Sequence, residues 1–123
     1  MAGYLAASYR QGCDMINAYE AMKASNINAK EIESDLEQNC PQWNDIVKCV
    51  MDSVHKGQRN VFYEIKKDKR IDDILTVLKY NGYGVKTYFR YFEGYDCKLE
   101  EGPLPVYDEN EQEWFNHFIE IIW

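Results

Sequence analysis

Residues 41–92, PQWNDIVKCVMDSVHKGQRNVFYEIKKDKRIDDILTVLKYNGYGVKTYFRYF, decide the fold of this chain. Pro41 suits the first position of a helix, where its missing N–H has no partner to lose. Ile46, Val47, Val50, Met51 and Val54 then recur at helical spacing and make one apolar stripe. His55 and Lys56 put positive charge at the carbonyl end, and Gly57 supplies a left-handed stop. Residues 61–65, rich in β-branched and aromatic side chains, predict a strand. A charged connection follows, in which Asp68 is the expected N-cap of a helix over 70–81, with Asp72 and Asp73 near its positive end. Ile71, Ile74, Leu75 and Leu78 define that helix, Asn81 and Gly82 close it, and Tyr83 is placed to fold back in a Schellman cap. Val85, Thr87, Phe89 and Tyr91 then alternate with Lys86, Tyr88, Arg90 and Phe92 as a long strand. Strand, helix and strand in so short a span predict a βαβ unit, with parallel strands and a right-handed crossover.

Working outward, Phe115 to Trp123 alternates as a C-terminal strand whose apolar ending predicts docking into the sheet. Gly94, Gly102, Pro103 and Pro105 predict an acidic loop over 93–113, with room for a short extended piece. At the other end, residues 3–23 carry no proline, and Leu5, Tyr9, Gly12, Ile16 and Tyr19 recur at helical steps beside Met15, Ala18 and Met22. That predicts a helix with a wide apolar surface, ended by Ser25 and Asn26. Asn28 with Glu31 then predicts a new capped helix through Ile32 and Leu36, stopped by Asn39, Cys40 and Pro41. The expected class is α+β: N-terminal helices followed by a small mixed sheet of three or four strands built on the βαβ unit, with helices on one face. One domain is expected over 1–123, divided into a helical N-terminal extension, 1–40, and an α/β core, 41–123.

Composition limits the function classes. Of 123 residues 46% are apolar and 15% aromatic, which argues for a packed core. No stretch has the length of apolar sequence that a membrane span needs, and no export signal is expected at the start. The four cysteines, Cys13, Cys40, Cys49 and Cys97, are far apart, and neither His55 nor His117 adjoins one. Reduced thiols and no metal or cofactor are therefore expected. The net charge of −7 is unevenly spread: residues 56–90 hold 9 basic and 4 acidic side chains, whereas 91–123 hold 1 and 9. Such an acidic end repels phosphate backbones, so direct nucleic-acid binding is disfavoured.

Three sets of residues invite chemistry. Leu5, Tyr9, Ile16, Tyr19 and Met22 form the candidate interface of an oligomerisation arm. Arg59, Lys66, Lys67, Lys69 and Arg70, with Lys86 and Arg90, are candidate anion or nucleotide contacts, although no glycine-rich cradle accompanies them. Tyr83, Tyr88, Tyr91 and Tyr95 with Phe89 and Phe92 concentrate aromatics beside Lys86 and Arg90. Alternation must send half of that set to the core and leave the rest for a protein or base-stacking surface. Cys49 and His55 do not share a helix face, and no nucleophile elbow or H-E-x-x-H motif occurs, so no enzyme is expected.

The turn at Lys56 and Gly57, the strand 61–65, Ile74 and Leu78 of the helix, the run Asn81 to Val85, and the close on Ile121, Ile122 and Trp123 resemble small proteins of bacteriophages and large DNA viruses. That resemblance implies a viral source, hence host cytoplasm or virion, and carries over no functional residue. Together with the charge segregation and the ten tyrosines, it leads to the expectation of a non-enzymatic viral protein acting by protein binding, as a homo-oligomer or with another viral or host protein. The alternative is an inhibitor of host defence: an acidic blocker of a nucleic-acid-binding host protein, or a pocket sequestering a nucleotide signal.

Overall fold

Asn17 opens the first helix of the computed structural model, which describes residues 17–123. Its Oδ1 accepts a hydrogen bond from the Glu20 N–H at 2.9 Å, a side-chain N-cap. Helix α1 then runs unbroken over Ala18–Asn39. This corrects one expectation, since Ser25, Asn26 and Asn28 do not end the helix; of the helix read over 3–23, residues 3–16 lie outside the described residues. Serine and asparagine cost a helix only about 0.5 kcal/mol each relative to alanine, so good helix formers on both sides carry the backbone through. The chain divides between Ile32 and Glu33 into two units. The last turns of α1 thus belong with the α/β unit, where Leu36 is fully buried.

Within the unit 33–123, α2 spans Pro41–His55 and α3 spans Ile71–Tyr80. Both end as their glycines predict. Gly57 and Gly82 have φ of 77° and 92°. Tyr83 N–H donates to Leu78 O at 3.1 Å and Gly82 N–H to Lys79 O at 3.0 Å, the paired bonds of a Schellman cap. At the start of α3, Asp68 acts two residues back: its Oδ1 accepts from Arg70 N–H at 2.9 Å and its backbone oxygen from Ile71 N–H at 3.2 Å.

The strands are β1 (Asn60–Glu64), β2 (Gly84–Glu93), β3 (Asp96–Glu101) and β4 (His117–Ile122), in the order β1-β4-β2-β3. The α+β class is the expected one. Strands β1 and β2 are parallel to each other, as a βαβ unit requires, but the C-terminal strand lies between them and pairs antiparallel with both. Every hydrogen-bonded pair is therefore antiparallel, and no adjacent pair has the parallel character of a mixed sheet. Segment 93–113 also differs from the expected loop. Gly94, with φ of 64°, turns the chain so that Glu93 pairs with Asp96 and β3 runs back along β2. Its charges suit an exposed edge strand, which they protect from further pairing.

Helices α2 and α3 cover one face of this sheet. The Tyr63 hydroxyl on β1 donates to Asp45 of α2 at 2.9 Å, and Thr87 of β2 shares a groove with Ile71 and Leu75 of α3. The core between the layers is Trp43, Ile46 and Val50 of α2, Ile71, Ile74, Val77 and Leu78 of α3, and Ile119 and Ile121 of β4, all buried. No described helix is long and apolar enough to cross a membrane. Among the described residues Cys40, Cys49 and Cys97 carry free thiols, and no group of three or more His, Cys, Asp or Glu could hold a metal.

Candidate binding face of the sheet

Strand alternation that buries Ile119 and Ile121 sends Phe118, Glu120 and Ile122 to the opposite face. Register then fixes their neighbours. Phe118 stands between Glu64 and Tyr88, Glu120 between Phe62 and Lys86, and Ile122 between Asn60 and Gly84. Beyond Tyr88 and Arg90, strand β3 adds Glu101 and Leu99. This face keeps large apolar side chains in water: Phe62 is 46% exposed, Phe92 65% and Leu99 44%. Exposed aromatic and aliphatic groups on one flat surface are the composition of a protein-contact patch.

Polar groups of this face bond to one another across its strands. Glu120 accepts from the Tyr88 hydroxyl at 2.9 Å and from Asn60 Nδ2 at 2.7 Å, joining three strands. The bond to Glu120 raises the Tyr88 pKa above its ordinary value. Phe62 and Tyr88 rings meet at 5.6 Å, tilted by 52°. The Arg90 guanidinium lies over Phe118 at 5.0 Å and donates to Asn116 Oδ1 from two nitrogens, at 2.8 and 3.2 Å. With Glu120 and Arg90 already bonded and the rings in mutual contact, this part of the surface loses little side-chain freedom when something docks on it.

Only part of this was foreseen. The aromatic concentration splits as alternation requires: Tyr88 and Phe92 lie on the open face, and Phe89 and Tyr91 on the other, with rings 5.7 Å apart. Tyr83 packs edge-on against Trp123 at 6.2 Å, and Tyr95 is fully exposed in the β2–β3 turn. Phe62, Phe118 and Glu120 were missed, because their role needs the position of β4 between β1 and β2.

The candidate anion contacts are dispersed. Lys86 and Arg90 belong to the open face, while Arg59 precedes β1, its backbone oxygen accepting from Trp123 N–H at 3.0 Å. In the β1–α3 connection, Lys66 pairs with Glu64 at 3.6 Å. Lys67 donates to Glu111 O and covers the Tyr107 ring at 5.4 Å. Arg70 bridges Asp35 at 2.6 Å and Asp73 at 2.7 Å; Lys69 is exposed. Four of these cations therefore already hold protein groups. Of the arm residues, Leu5, Tyr9 and Ile16 lie outside the described residues, and Tyr19 and Met22 are 64% and 57% exposed on α1.

The chain matches no family model, and no curated protein or solved structure matches it.

Proposed function

We propose that this chain is a non-enzymatic protein that works by binding protein, with the open face of its sheet as the working surface. The observation that carries this reading is the partly exposed cluster of three rings, Phe62, Tyr88 and Phe118, with the Arg90 guanidinium over Phe118 and Glu120 hydrogen-bonded at its centre. A protein partner fits this surface better than a nucleic acid strand. Glu64, Glu101 and Glu120 stand among the rings and would repel a phosphate backbone. Tyr19 and Met22, exposed on α1, give the helical arm a place in the same activity. The resemblance to phage and viral proteins supports a viral source, with the host cytoplasm or the virion as the setting.

A second reading has its own observation. Asp96, Glu100, Glu101, Asp108, Glu109, Glu111 and Glu113 are all exposed, the surface that an acidic blocker of a basic host protein would present. Binding that is lost when these carboxylates are neutralised, and that ignores Phe62→Ser and Phe92→Ser, would favour it.

The test compares wild type with a Phe62→Ser, Phe92→Ser variant as affinity baits in an extract of the natural host. Both side chains are exposed, so the melting midpoint should hold while captured proteins, or self-association, are lost. An unchanged capture profile would overturn the assignment of this face.

A further inference from the structure

We infer that the partner seated on the open face is a second copy of this chain, packed sheet to sheet about a two-fold axis running along the strands between β4 and β2. The inference rests on the protein-binding reading above and names its partner. At −7 per chain, two copies repel each other over most of their surfaces. On the open face the signs are nearly balanced, with Lys86 and Arg90 set against Glu64, Glu101 and Glu120.

Register then selects the orientation. Rotation about an axis along the strands lays β4 of one copy over β2 of the other and keeps each residue at its level. Lys86, paired with Glu120 within the sheet, then comes over Glu120 of the second copy. Tyr88 likewise comes over Phe118, and Ile122 over Gly84, where no side chain stands in its way. Each contact occurs twice. Rotation about an axis across the strands at Tyr88, the middle of the face, instead lays β2 on β2 and brings Lys86 over Arg90, two like charges, which disfavours it. At the margins of the favoured arrangement Glu64 comes level with Glu101, and Lys66, 3.6 Å from Glu64, offsets that pair. A four-stranded face with a six-residue central strand measures roughly 20 by 19 Å, and two such faces stack about 10 Å apart as in aligned β-sandwiches.

Sedimentation of the full chain tests this with charge reversals. Wild type should be a dimer. Lys86→Glu and Glu120→Lys should each weaken self-association about tenfold or more, and an equimolar mixture of the two variants should restore the dimer, because opposite charges then meet at both contacts. Lys79→Glu, the same change on exposed α3, should leave the dimer intact. Glu120 holds Tyr88 and Asn60, so if its variant does not fold, Lys86→Glu against Lys79→Glu carries the test. A wild type that stays monomeric at high concentration overturns the second copy as partner and leaves the protein-binding reading to the bait experiment. A dimer that ignores Lys86→Glu, or a mixture that stays monomeric when both variants fold, also overturns the inference.

Discussion

The Arg90 guanidinium lies 5.0 Å from the centre of the Phe118 ring, a contact between the two central strands, made on the side away from the helices. The same side chain holds Asn116, the one non-glycine residue with positive φ, 63°, among those described. Arg90 thus secures both the middle of the open face and the turn that delivers β4. A cation–π contact at a partly exposed site is worth about 0.5–1 kcal/mol and a hydrogen bond about as much. Arg90→Ala should therefore lower stability by about 1–2 kcal/mol in urea titration. Arg90→Lys should fall between, keeping charge but losing the two-nitrogen contact with Asn116. Equal stabilities for all three proteins would show that the contact contributes nothing.

Both faces of β4 can be separated by mutation. Ile119 is fully buried between sheet and helices, so Ile119→Ala should cost about 2–5 kcal/mol. Phe62→Ser, on the exposed side of the neighbouring strand, should cost far less in urea titration and act on association instead. A Phe62→Ser protein as destabilised as Ile119→Ala would mean that the open face is part of the core.

His117 should make stability depend on pH. Its Nδ1 and the Trp114 Nε1 are buried without a protein partner, the rings meeting edge-on at 6.5 Å. Burial depresses the His117 pKa below its ordinary 6.5. Above that value neither the folded nor the unfolded chain protonates the ring, and stability is flat. Below it the unfolded chain gains a proton that the folded chain refuses, so stability falls as pH falls, by up to about 1.4 kcal/mol per pH unit, until the folded value is reached. Asp35, whose pKa is lowered chiefly by its hydrogen bond from Arg70, acts only around and below 3.8 and does not share this window. Urea midpoints measured from neutral pH to about pH 5 should decline in wild type and decline less in His117→Phe. Parallel declines would remove His117 as the cause.

Gly82 carries a purely conformational load. A Cβ there would meet no atom within 4 Å, yet φ is 92°. Gly82→Ala should lower stability by about 1–2 kcal/mol through backbone strain alone. Thermal melting checks this, and a neutral substitution would mean the cap relaxes.

Local chemistry was legible in the sequence wherever a single residue type decides the backbone. Pro41, Gly57, Asn81 with Gly82, and the alternation over 85–92 placed α2, α3 and β2 to within a residue or so. Two kinds of feature were hidden. Ser25, Asn26 and Asn28 carry a preference against helix too small to decide anything, so continuity of α1 depends on its neighbours. The place of β4 between β1 and β2 is a long-range choice that buries Ile119 and Ile121 under the helices with a strand on either side, and nothing in residues 117–122 alone states it. The open face followed from that choice, which is why Tyr88 and Arg90 were singled out and Phe118 and Glu120 were not. Strand β3 was obscured by acidic residues that mark its edge position as readily as a loop.

The most direct measurement of the central claim is an NMR concentration series on the isotopically labelled 123-residue chain. Association through the open face should move the side-chain resonances of Phe62, Tyr88, Phe118 and Ile122 with concentration while those of Ile74, Val77, Ile119 and Ile121 stay fixed, so that the changes alternate along β4. If no resonance moves on concentration, adding a captured partner should produce the same alternation. Changes confined to α2, α3 or the acidic turn, with the open face silent under both conditions, would contradict the account.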